Sequence, residues 1–128
     1  MRRWLVLVSV AAALAGGCSQ AQDASSIETT ARDFFGAVSD EDGQRACALL
    51  SSDARESLET GGDSCDEEIT KLRLEGGEAG RPEIWGEQAR VRMGSDTVFL
   101  TRWASAWRIT AAGCERRVGE PYDCEVEG

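Results

Sequence analysis

The 128-residue sequence predicts an α+β domain, with N-terminal helices packed on a curved antiparallel sheet. Three observations carry that prediction. Apolar residues recur at helical spacing from Ile27 to Leu72, the pattern alternates with period two from Gln88 onward, and four cysteines divide between the two halves as an even set suited to disulfides.

The helices come first. Ser25-x-x-Glu28 reads as a capping box, and Ile27, Ala31, Phe34, Phe35 and Val38 share one face of a helix that runs to about Ser39. Asp40-Glu41-Asp42-Gly43 interrupts it, and Asp42 caps a second helix through Ala46, Cys47, Leu49 and Leu50. Asp53-x-x-Glu56 starts a third, with Ala54 and Leu58 inward, and Gly61-Gly62 ends it. Ser64-x-x-Glu67 opens a fourth through Ile69 and Leu72. Asp66, Glu67 and Glu68 fall in its first turn, where acids complement the helix dipole.

The strands follow a glycine-rich loop, Gly76-Gly77-Glu78-Ala79-Gly80. A strand near 82–85 comes first, with Pro82, which has no N–H to give to a ladder, suggesting an edge or a strand start. Gln88–Met93 alternates polar and apolar, Gly94-Ser95-Asp96 is a hairpin turn, and 97–103 reads as the next strand. Ala104-Ser105 turns the chain again into a strand over 106–111.

The N-terminus carries an address. Met1-Arg2-Arg3 is basic, 4–14 is an apolar run, and Ala15-Gly16-Gly17 is small throughout, the three parts of a secretory leader. A membrane-spanning helix needs roughly 20 apolar residues, more than this run supplies. Leu14-Ala15-Gly16-Gly17-Cys18 resembles the bacterial lipobox, with Leu14 one place further from the cysteine than is usual and Ala15 in its slot. The resemblance implies that Cys18 becomes a diacylated N-terminus, and two acyl chains make a stable anchor where one is marginal. The expected organisation is a leader over 1–17, lipidated Cys18 with a short polar tether over 18–25, and one domain over 26–128. The expected location is the outer face of the cytoplasmic membrane, with the lipid bilayer as first partner.

Assigning Cys18 to lipid leaves Cys47, Cys65, Cys114 and Cys124, and three connectivities. Short loops close most readily, which favours Cys47–Cys65 with Cys114–Cys124. Each would add roughly 3 kcal/mol in the chain-entropy treatment. No pair has C-x-x-C redox spacing, and without paired ligand spacing or any histidine the set does not suit zinc.

The formal charge is −9, and losing Arg2 and Arg3 with the leader makes the chain more acidic still. Such a surface repels phosphates, so no nucleic acid is expected as partner. Of 14 basic residues only Lys71 is a lysine, a bias typical of GC-rich genomes.

The order of helices and then a strand meander resembles the NTF2-like (cystatin-like) cone. More narrowly, Ala46-Cys47-Ala48-Leu49-Leu50, Thr97-Val98-Phe99-Leu100, Trp107-x-Ile109-Thr110-Ala111-Ala112-Gly113-Cys114 and Pro121-Tyr122-Asp123-Cys124-Glu125 resemble a group of small actinobacterial lipoproteins. The likeness runs from about Ile27 to the C-terminus and implies a fold and a disulfide pattern. It implies no activity, since that fold hosts enzymes, binders and scaffolds.

Catalysis is disfavoured by what the chain lacks. It has no histidine, the commonest general base, and no G-x-S-x-G nucleophile elbow. NTF2-like enzymes often use a His–Asp or Tyr–Asp pair, and the single tyrosine, Tyr122, sits in the small loop between Cys114 and Cys124. Asp40-x-Asp42-Gly43 fails as a calcium loop, because Val38 and Leu49 fall where its first and last ligands belong. No metal or cofactor is expected.

Two sets of side chains remain. If Ala89, Val91 and Met93 face the helices, alternation carried through both turns puts Phe99, Thr101, Trp103 and Trp107 on that inner face. They would fill the core or line an apolar pocket with a hydroxyl. Arg90, Arg92, Arg102 and Arg108 would then share the outer face, with Trp85 beside them on that face or, if Gly86 bulges the strand, on the other. That face is either ordinary solvated surface or a docking face for an acidic envelope protein or a second copy. The expected function is a non-catalytic binding or accessory module; the alternative is a SnoaL-like small-molecule enzyme with a carboxylate base in the inner cleft.

Overall fold

A computed structural model describes residues 17–116, 118–119 and 121–128, with Gly17 and Cys18 described by their backbone alone. Residues 1–16, where a leader is expected, and the Cys18 side chain, where acylation is expected, lie outside the described residues. Four helices, α1 (Gly17–Ser39), α2 (Gly43–Ala48), α3 (Ser52–Glu59) and α4 (Cys65–Lys71), precede five strands. These are β1 (Glu83–Trp85), β2 (Gln88–Met93), β3 (Asp96–Trp103), β4 (Ala106–Cys114) and β5 (Val126–Glu127). The strands form one antiparallel meander in the order β1-β2-β3-β4-β5. Ile27, Ala31 and Phe34 of α1, Ile69 of α4, and Val91, Val98, Leu100 and Ile109 of the sheet meet in one core. The architecture is the expected α+β, with the expected disulfide pairs.

Capping side chains set the helix starts. Asp42 accepts from the Arg45 amide at 3.1 Å and Ser64 from the Glu67 amide at 3.4 Å, each where the sequence places a cap. Arg45 also lies within 4 Å of Asp40 and Asp42, so the acidic turn after α1 serves the next helix. Helix α3 is capped by Ser51 rather than Asp53, through a 3.3 Å bond to the Ala54 amide. The Cys47–Cys65 bond, with Cα atoms 6.2 Å apart, ties α2 to α4.

Helix α1 begins earlier than the capping box indicates. Residues 19–24, expected as a tether, are helical, and Ser25 is an interior residue. Tertiary contact explains the extension: the Asp23 carboxylate accepts hydrogen bonds from Arg102 Nη1 at 3.0 and 3.2 Å and from Trp107 Nε1 at 3.3 Å. Docking of that turn on the sheet outweighs the local cap.

The sheet departs from expectation at both hairpin turns, first between β2 and β3. Met93 pairs directly with Asp96, so the β2–β3 turn is the two-residue Gly94-Ser95 rather than a three-residue turn. Gly94 has φ +63°, as the first position of such a turn demands. A one-residue change of register exchanges the faces of a whole strand. Val98 and Leu100 therefore enter the core, while Phe99, Thr101 and Trp103 lie on the outer face with Arg90 and Arg92. The next turn, Ala104-Ser105, pairs Trp103 with Ala106 and returns Trp107 and Ile109 to the core.

Strand β4 extends to Cys114 through register shifts against β3. Gly113, at φ +64°, lies in this irregular stretch, and a side chain there would meet Leu74 Cδ2 at 2.6 Å. Cys114 thereby comes opposite Thr97 on the outer face. Its bond to Cys124 and the Glu115–Asp123 bridge fold the C-terminal segment back before β5 pairs with β4.

Candidate functional site

Core side chains pack the helix-facing side of the sheet, and a broad hollow lies on the other face. A groove of about 840 Å³ runs over the outer side of β2 and β3. Gln88, Arg90, Phe99 and Thr101 form its floor, Trp85 of β1 one side, Ala111 and Glu127 the other, and Pro121 and Tyr122 a lip. Register puts these floor residues together: Arg90 lies opposite Phe99, and Gln88 opposite Thr101.

The lip is held by its own contacts. Tyr122 meets Phe99 edge to face, with ring centroids 5.1 Å apart, and its hydroxyl accepts from Arg90 Nη1 at 3.4 Å. Arg90 also pairs with Glu83 and stands 5.5 Å from the Trp85 ring centroid. The Glu83 hydrogen bond raises the Arg90 pKa further above its already high value, so the guanidinium stays charged. The neighbouring disulfide fixes where the lip begins and ends.

A second hollow of about 240 Å³ adjoins the groove and shares Arg90 and Tyr122 with it. Arg92, Arg116, Ser95 and Thr97 complete its polar lining with Glu83. Three guanidiniums thus surround a space holding one carboxylate, and that carboxylate is already paired with Arg90. Among the described residues no ion pair reaches Arg92 or Arg116. In a chain of charge −9 this is a local reversal of sign.

The residues singled out from the sequence are only partly brought together. Phe99 and Thr101 do share a cavity, but on the outer face. Trp103 stands 77% exposed beside the β3–β4 turn, and Trp107 is buried in the core, so the expected four-residue inner pocket is not formed. Arg90, Arg92 and Arg108 share the outer face, where Arg108 lies opposite Thr101. Arg102 does not join them: it lies opposite Trp107 on the helix side, 5.1 Å from that ring's centroid and bonded to Asp23. The four-arginine face is thus corrected to three, and the cause is the shorter β2–β3 turn. Sequence reasoning missed Tyr122, Arg116 and Ser95 as parts of one site. The short cysteine loop was a signal for Tyr122, but the face that loop covers depends on the irregularity in β4.

No family model, curated protein or solved structure matches the chain. Among the described residues no helix is long and apolar enough to cross a membrane, and no group of acids and cysteines could hold a metal ion.

Proposed function

We propose that the chain is a lipid-anchored, extracytoplasmic, non-catalytic binding module on an NTF2-like scaffold, and that its ligand sits in the outer groove. One observation carries the reading: a trench lined by Trp85, Phe99 and Tyr122 opens onto a hollow where Arg92 and Arg116 have no ion-pair partner among the described residues. Rings supply apolar contact, and guanidiniums supply planar, bidentate recognition of a carboxylate or phosphate. The fitting ligand has an apolar or ring-shaped body with an anionic group at one end. The leader and Cys18 support the anchor, and helices followed by a strand meander support the scaffold.

The enzyme alternative draws less support. The acids that line the groove, Asp53 and Glu127, are exposed, whereas that reading calls for a desolvated carboxylate in an inner cleft.

Titration with 2-naphthoate and with its neutral analogue 2-naphthalenemethanol tests the reading. The carboxylate should bind at least tenfold more tightly, and the double variant Arg92→Glu, Arg116→Glu should erase that preference while leaving the thermal midpoint unchanged. Equal binding of the two probes, or binding of neither, would refute an anion-ended ligand.

A further inference from the structure

The N-terminal part of α1 and the β3–β4 turn lie at one pole of the domain. Asp23 bonds Arg102 and Trp107, and Ser26 and Thr30 face Ser105 and Ala106 across a shallow cleft. The other end of α1 lies at the opposite pole: Phe35 packs on Gly76, which touches Gly94 in the β2–β3 turn. The helix backbone is continuous back to Gly17, so Cys18 is carried beyond the level of Asp23 at the pole of the β3–β4 turn. At 1.5 Å per residue the offset is about 7.5 Å.

Two exposed tryptophans mark the same pole. Trp103 follows Arg102 by one residue, about 3.3 Å further along the strand. Its ring is 77% exposed, on the hairpin to which Asp23 is bonded. Trp85, 53% exposed, flanks the β1–β2 turn, which an antiparallel meander places at the same end; the Arg102 amide donates to Glu87 in that turn at 2.7 Å. The acids there are answered: Asp23 and Glu87 by Arg102, Glu83 by Arg90. Two large exposed rings thus stand at this pole among carboxylates that each have an arginine partner.

Resting on the lipid-anchor reading of Cys18, we propose that this pole is a membrane-contact surface. Trp103 and Trp85 enter the headgroup layer beside the acyl chains and fix how the domain stands on the bilayer. Tryptophan suits that layer because its ring is apolar and its N–H is polar. The occupant is a lipid surface, because the helix that leads to the acylated residue is pinned to the hairpin that carries Trp103.

The test uses the mature acylated protein in phosphatidylcholine–phosphatidylglycerol vesicles, with and without brominated phosphatidylcholine. Intact mass first establishes the thioether diacylglycerol. Tryptophan emission should then fall at least twofold in brominated vesicles. The double variant Trp85→Phe, Trp103→Phe should lose most of that quenching, since the remaining Trp107 is buried in the core, and should keep the parent's thermal midpoint. Acylated, vesicle-bound protein whose emission is the same in both lipids overturns the contact surface and leaves the anchor standing. Quenching that survives the double substitution also overturns it. Protein with an unmodified Cys18 overturns the anchor and this inference together.

Discussion

Asp23 and Arg102, 79 residues apart in sequence, join the first turns of α1 to the β3–β4 hairpin through two hydrogen bonds. Their side chains are 19% and 30% exposed, so the pair is partly withdrawn from water. Such a pair is worth more than one on an open surface, and removing one partner leaves the other's charge poorly solvated. Asp23→Asn keeps the shape and an acceptor for Trp107 but removes the charge. It should lower stability by about 1 kcal/mol. Amide exchange should speed up over 19–24 and stay slow around Phe34; unchanged exchange over 19–24 would mean that the pair does not hold the helix.

The two disulfides close loops of similar size, with sequence separations of 18 and 10. Replacing either pair by alanines should cost roughly 3 kcal/mol in the chain-entropy treatment. Their local effects should differ. Opening Cys47–Cys65 separates α2 from α4 and leaves the groove alone, whereas opening Cys114–Cys124 releases the lip that carries Tyr122. Denaturant unfolding would give the two costs, and naphthoate affinity should fall only for the second variant.

Ala104 adopts φ +56° in the β3–β4 turn, a left-handed conformation that costs an L-residue about 1–2 kcal/mol. Glycine occupies the corresponding turn position in Gly86 and Gly94. Ala104→Gly should raise stability by about 0.5 kcal/mol, since relief of the strain exceeds the extra freedom gained by the unfolded chain. A lower thermal midpoint would show that the alanine methyl contributes packing there.

Much of the helical half was legible because each start has a side chain that satisfies a free amide, as Asp42 and Ser64 do. The exception at α1 is instructive. Ser25-x-x-Glu28 has the right spacing for a cap, but Asp23 has a partner on a distant strand, and no local pattern reports that. In the sheet, alternation identified β2, β3 and β4, yet the faces of β3 hung on whether Asp96 belongs to the turn or to the strand. That single residue moved Phe99, Thr101 and Trp103 to the outer face and Arg102 to the helix side. The candidate groove was hidden for a further reason. Its lip depends on the irregular end of β4 and on a short β5, and two residues are too few to give a period.

The borders of the sheet are its shortest strands, three residues in β1 and two in β5. A border strand offers unpaired amides and carbonyls to any strand that passes, and long flat borders invite copies to zip together. Here such pairing could gain only a few bonds, and β5 lies against α3, with Gly128 in close approach to Ala54. Proteins held on one surface meet far more often than the same number in solution. A fold with so little border to share can be packed densely on a surface and still remain a population of separate molecules.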